Sequence, residues 1–295
     1  MNAIVRSVIA AALVLPLAGC DAVNTRLNPT PDIKFAPTQA GYQGKPDFAR
    51  VEQDFPLAAA DLQKLTIGNL KNFSQEELDQ IYARLTAGPI PDGPYKGDLI
   101  FPKGEEGQRR LAEIVGGLPG IPVELKLHQV EQLGRALWKG KVFYRNERLL
   151  RNRIEDLALL KPIIDGDLAT IPKITVDGKD QWLLFPAQLY CGQSLLDSRR
   201  ESVIIDYFFT DQLPGYRQRP DYLAGRNGLQ VRDEIRMVRP GLYLGRAYLG
   251  KVFLINFFLY NEEVANRDGP EFQKTGSVKE DCWPGTQART AVAAR

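Results

Sequence analysis

Apolar positions change their spacing twice along this chain. Ser7–Leu17 is a short, almost unbroken apolar run behind Arg6. Residues 21–60 then carry Pro29, Pro31, Pro37, Pro46 and Pro56 with few apolar clusters, the pattern of a partly extended tether. From 61 to 87 the spacing becomes helical. Ser74 and Glu77 form an S-x-x-E capping box, Leu78, Ile81, Tyr82 and Leu85 follow on one face, and Gly88-Pro89 ends the run. Gly93–Phe101 reads as a turn feeding a short strand, and two further helices are expected over 107–116 and 123–137.

From Trp138 the period falls toward two. Lys141–Tyr144, Trp182–Tyr190, Glu201–Thr210 and Arg232–Val238 are rich in aromatic and β-branched residues, as strands require. Leu242–Tyr260 reads as a hairpin turning at Gly250-Lys251, a pair suited to a type II′ turn. Short strands after a helical lead-in predict an α+β, mainly β fold, with an antiparallel sheet that is barrel-like or strongly curved. The expected segments are a leader (1–19), a tether (20–60), a helical lead-in (61–137), a β body (138–283) and a mobile tail (284–295).

Composition narrows the class. The 295 residues are 44% apolar and 25% charged, which excludes a disordered chain, a collagen-like repeat and a many-span membrane protein. Lys plus Arg (38) nearly balance Asp plus Glu (36), so nothing points to nucleic acid as a partner.

The apolar run at the N-terminus is too short for a permanent span, which needs about 20 residues, and has the flanks of a secretory signal. Leu17-Ala18-Gly19-Cys20 resembles the lipobox of bacterial lipoproteins. That resemblance implies cleavage before Cys20, lipid on its thiol and a firm multi-chain anchor in the bacterial cell envelope, facing the periplasm. Asp21 resembles an inner-membrane retention signal of enteric bacteria, and the choice between inner and outer membrane stays open. With Cys20 committed to lipid, Cys191 and Cys282 are an even pair in an oxidising compartment and are expected to form a disulfide.

Two likenesses bear on shape. Gly93-x-Tyr95-x-Gly97 and Trp138-Lys-Gly140 resemble the Gly-x-Trp entry strands of lipocalin-like (calycin) barrels. The block from Arg232 to Gly245, with Arg-Asp-Glu-Ile-Arg and Pro-Gly-Leu-Tyr-Leu-Gly, resembles a signature of uncharacterised bacterial envelope proteins over roughly residues 90–262 and brings no known chemistry with it.

Catalytic motifs are scarce. A Ser-His-Asp triad would have to use His128, the one histidine, yet Gly192-Gln-Ser194-Leu-Leu-Asp197 lacks the Gly-x-Ser-x-Gly elbow, and Ser194 and Asp197 read as turn residues. Asp165 and Asp167 lack the spacing of a calcium loop, zinc lacks its usual ligands, and no nucleotide fingerprint occurs, so no cofactor or metal is expected.

The richest polar set lies on strands. Alternation puts Arg232, Glu234 and Arg236 on one face of their strand, with Asp233 and Ile235 on the other. An inward first face, with Asp206 and Tyr207 nearby, would bind an anionic head group or form a paired network. An outward one would be a solvated surface. Three functions follow: a lipid-anchored protein binding a lipophilic or anionic ligand or an envelope protein partner; a docking protein with no cavity; or a hydrolase using Asp206 and Glu234.

Overall fold

The computed structural model describes residues 31–38, 46–100, 138–157, 164 and 166–282. The leader with Cys20, the helices expected over 107–116 and 123–137 with His128, Asp165 and the tail all lie outside the described residues. Four short helices come first: α1 (Phe48–Asp54), α2 (Ala59–Lys64), α3 (Ile67–Leu70) and α4 (Gln75–Arg84). The capping box at α4 forms as the pattern predicts: Glu77 N–H donates to Ser74 Oγ (3.2 Å) and Ser74 N–H to Glu77 Oε2 (2.8 Å).

Among the described residues nine strands follow: β1 (Gly93–Ile100), β2 (Trp138–Tyr144), β3 (Leu149–Ile154), β4 (Lys173–Val176), β5 (Lys179–Gln193), β6 (Glu201–Asp206), β7 (Val231–Arg239), β8 (Leu242–Leu249) and β9 (Val252–Tyr260). Eight of them close an antiparallel barrel in the circuit β1-β2-β3-β5-β6-β7-β8-β9 and back to β1, while β4 is a hairpin partner of β5. Closure leaves no free edge in the eight-stranded ring itself; among the described strands only β4, paired with β5 alone, keeps one. The β8–β9 hairpin turns at Gly250-Lys251 with Leu249 opposite Val252, and Gly250 takes the positive φ (58°) that the turn demands. Gly140 serves close approach, since a Cβ there would fall 2.0 Å from the Tyr95 carbonyl oxygen on the neighbouring strand.

On the N-terminal side the elements fall differently from the expected segments. β1, expected within the lead-in, is the strand that closes the ring between β2 and β9, so the body starts at Gly93 rather than 138. Residues 31–38 and α1, expected as tether, pack on the body. Ile33 and Phe35 join an apolar cluster with Leu65, Leu78, Ile81 and Tyr82, and Arg84 holds the carbonyls of Lys34 and Phe55. A helix, α5 (Glu262–Thr275), follows the last strand; its polar sequence buries only Phe272 and so hid its period. β3 was also unexpected, because one of its inward positions is polar, Asn152 between Leu150 and Ile154. Glu201–Thr210 leaves the strand after Asp206, where Thr210 N–H turns back to the Tyr207 carbonyl.

The barrel therefore has two buried faces. Inside lie Tyr95, Phe143, Leu150, Ile205, Ile235 and Met237 among others. Outside, across β7–β9, lies the layer built from the N-terminal helices with Val238, Leu244 and Phe258. Cys191 on β5 is bonded to Cys282 with Cα atoms 5.4 Å apart, drawing the chain beyond α5 onto the barrel. Among the described residues no helix is long and apolar enough to cross a membrane.

Candidate functional site

One half of the barrel interior is packed and the other is open. At the α5 end, Tyr95 meets Phe143 and Tyr243 edge to face with centroids 5.5 and 5.9 Å apart. At the opposite end a cavity of about 390 Å³ opens to solvent, walled by Leu99, Phe185, Leu223, Val231, Ile255 and Phe257, with half-exposed Leu229 at its mouth. A second depression of about 580 Å³, between α5 and the barrel, has a mixed-charge lining that includes Arg145, Arg267, Asp268 and Glu280.

The apolar cavity has a polar floor. Lys141 on β2 reaches across the interior to Asp233 on β7, Nζ to Oδ2 at 3.0 Å, with side chains only 3% and 6% exposed. Lys141 Nζ also donates to Asn152 Oδ1 (2.8 Å) and to the Tyr207 hydroxyl (2.7 Å). Asn152 Nδ2 donates to Tyr207 (2.9 Å) and to the Phe185 carbonyl (3.1 Å), and its Oδ1 further accepts from Trp138 Nε1 (2.9 Å). The rings of Trp138, Tyr207 and Phe257 stand 5.3–5.5 Å from the ammonium.

Burial pulls the Lys141 amine down, but Asp233 and Tyr207 outweigh it and its pKa ends above the ordinary value. Burial pushes the Tyr207 phenol up to about 12. The floor is thus a paired, protonated network in an apolar shell.

Of the five residues singled out in the sequence, only Tyr207 lines this cavity. Asp233, placed on the opposite face from the Arg/Glu set, is the strand's inward acid. Arg232, Glu234 and Arg236 face outward and do not form an interior anion site. Glu234 and Arg236 are not solvated either, because they are fully buried under the helical layer, while Arg232 stays a quarter exposed. Glu234 is fully buried, accepting from Ser194 Oγ (2.6 Å), Leu195 N–H (2.7 Å) and Arg232 Nη2 (3.2 Å). Ser194 is thereby a turn-fixing residue.

Arg236 lies 4.7 Å from the Tyr82 ring centre and donates to Ser202 Oγ (2.9 Å) and the Tyr82 and Ala83 carbonyls (3.0 and 3.3 Å). These carbonyls belong to the last turn of α4, where Leu85 N–H also reaches back to the Tyr82 carbonyl (3.2 Å), and Arg236 adds a cap to that helix from the barrel wall. Asp206 accepts from Tyr190 and from Phe208 N–H on the outer surface. With Glu234 sealed, Asp206 and Glu234 do not share an open cleft around a substrate. Among the described residues no group of acids, His and Cys gathers into a metal site.

Lys141 and Asn152 were not singled out in the sequence. The available signal was the alternation on β7: a polar residue facing a strand's apolar side needs a buried partner, and Lys141 opens the apolar run Val142-Phe143-Tyr144.

No protein-family model matches the chain, and no curated protein matches it. Among solved structures it is similar to a crystal structure of a protein from Thermomonospora curvata. The two share 16% identity, over 64% of this chain and 88% of that one, with a TM-score of 0.33. That likeness is too distant to carry a structural or functional inference.

Proposed function

We propose that this protein is a lipid-anchored envelope protein whose barrel binds a small lipophilic ligand in the cavity above Lys141 and Asp233. The observation that carries the reading is an open cavity of about 390 Å³ with an apolar wall, in an eight-stranded barrel wide enough to hold one small ligand. Apolar side chains normally fill such an interior, as they do at the α5 end. An unfilled half exposes apolar surface that a lipophilic guest would cover.

The anchor reading rests on the lipobox at Leu17–Cys20, and the Cys191–Cys282 bridge supports an oxidising compartment. Mass spectrometry of the N-terminal peptide from the native host tests it: diacylglycerol on Cys20 is expected, and an intact Met1 would remove the membrane partner and the periplasmic address. The ligand reading is tested by filling the cavity. Ala247, at its wall, changed to Phe should abolish binding of a fluorescent lipophilic probe while leaving thermal unfolding cooperative. Equal probe binding by wild type and a folded Ala247→Phe variant would overturn it.

A further inference from the structure

The donors and acceptors of the cavity floor can be counted, and the count selects a ligand class. Lys141 has three N–H groups: two donate to Asn152 and Tyr207, and the ammonium faces Asp233 Oδ2 as an ion pair at 3.0 Å. Asn152 uses both N–H groups and accepts twice. The Tyr207 hydroxyl accepts from Lys141 and Asn152 and donates toward Asp233 Oδ2 at 3.4 Å. Trp138 spends its one N–H on Asn152.

Among the described residues, these contacts account for the donors of Trp138, Lys141, Asn152 and Tyr207. Asp233 Oδ2 holds both Lys141 and Tyr207, whereas Oδ1 accepts no hydrogen bond from the described residues, and Asp233 lines the cavity.

We infer that the ligand is a neutral, elongated apolar molecule carrying one hydroxyl or amide N–H, which it donates to Asp233 Oδ1, and that it is not a carboxylate or phosphate. This deepens the proposed function and rests on the cavity being its ligand site. An anion entering here would meet a carboxylate oxygen and an ammonium already surrounded by Asn152, Tyr207 and its counter-charge Asp233, so its lost hydration would not be replaced. A second cation would meet an acid that Lys141 has already neutralised. A neutral donor avoids both costs and satisfies the one spare acceptor. The volume sets the size: at about 30 Å³ per water-sized group, the cavity holds on the order of a dozen such groups.

The test is displacement of a lipophilic fluorescent probe from the full chain by 1-decanol, decanoate, decylammonium and decyl methyl ether. Decanol should bind about tenfold or more tightly than each of the other three. Decanoate, decylammonium or the ether binding as well as decanol would overturn the ligand class while leaving the cavity site standing. Binding of none of the four would overturn the cavity site and the class together. Asp233→Asn supplies the second arm. With the acid gone, Lys141 has no counter-charge, and decanoate should overtake decanol. A folded Asp233→Asn that keeps the wild-type order would remove Asp233 from the assignment; if that variant does not fold, the wild-type series decides alone.

Discussion

Lys141 and Asp233 form an ion pair across the barrel interior, 3.0 Å apart on β2 and β7, where water scarcely reaches either side chain. Each charge is tolerable only because the other is present. Lys141→Met should therefore cost about 3–5 kcal/mol by leaving a buried carboxylate uncompensated, whereas Lys141→Met with Asp233→Leu should recover most of it. Equilibrium urea unfolding of the two variants checks this. A single variant within about 1 kcal/mol of wild type would mean that water reaches the pair and screens it.

The same network sets behaviour in alkali. Lys141 titrates above its ordinary 10.5 and Tyr207 is raised from 10.0 to about 12, so the folded state holds both protons more tightly than the unfolded chain does. Their stabilisation is complete below about pH 10 and is lost as the pH climbs through the folded values, for Tyr207 near 12. The stability gap between wild type and Tyr207→Phe should narrow over that window. Unfolding free energies measured from neutral pH to pH 12 test this, and a gap that widens with pH would contradict it.

How far the sequence discloses this molecule depends on how many faces of a strand are buried. The Leu242–Tyr260 hairpin was legible because Gly250 punctuates two long apolar runs, and α4 because its cap and apolar stripe agree. β7 was harder. Its alternation was clear, but α4 covers the outer side, so Glu234 and Arg236 are as buried as Ile235. Polarity then no longer reports which side faces in. The deciding information lies in Tyr82, Ala83 and Ser202, distant in sequence, which take up the Arg236 guanidinium. Lys141 was hard to single out for the opposite reason: one of two lysines in β2, it gains its meaning only from a partner on β7.

Arg236 yields a prediction of its own. Burial lowers its pKa, no carboxylate pairs with it among the described residues, and its Nη2 lacks a hydrogen-bond partner. Its worth lies in filling space and capping α4. Arg236→Ala should cost about 2–5 kcal/mol, the range for emptying a buried site. Arg236→Met, which keeps the volume and drops the charge, should restore a large part. Neither should change probe affinity, because Arg236 is outside the barrel. Thermal unfolding with probe titration separates the two, and a loss of affinity in folded Arg236→Met would return the residue to the ligand site.

The Cys191–Cys282 bridge spans 91 residues of sequence and encloses β6 to α5. In the chain-entropy account, closing a loop of that length stabilises the fold by about 4–5 kcal/mol through the unfolded state. The native contacts it supports are local: Cys282 N–H bonds the Gly88 carbonyl, and the Asp281 carboxylate holds Thr86 and Gly88 N–H. Cys191→Ala/Cys282→Ala should therefore lower the melting temperature by roughly 7–9 °C in a chain of this size. Hydrogen exchange should quicken first beyond α5, and the cavity, which neither cysteine lines, should keep its affinity. Reductant should reproduce the change in wild type and do nothing to the double variant. A melting temperature insensitive to reductant would show that the barrel holds this segment without the bridge, and would remove the bridge's support for an oxidising compartment.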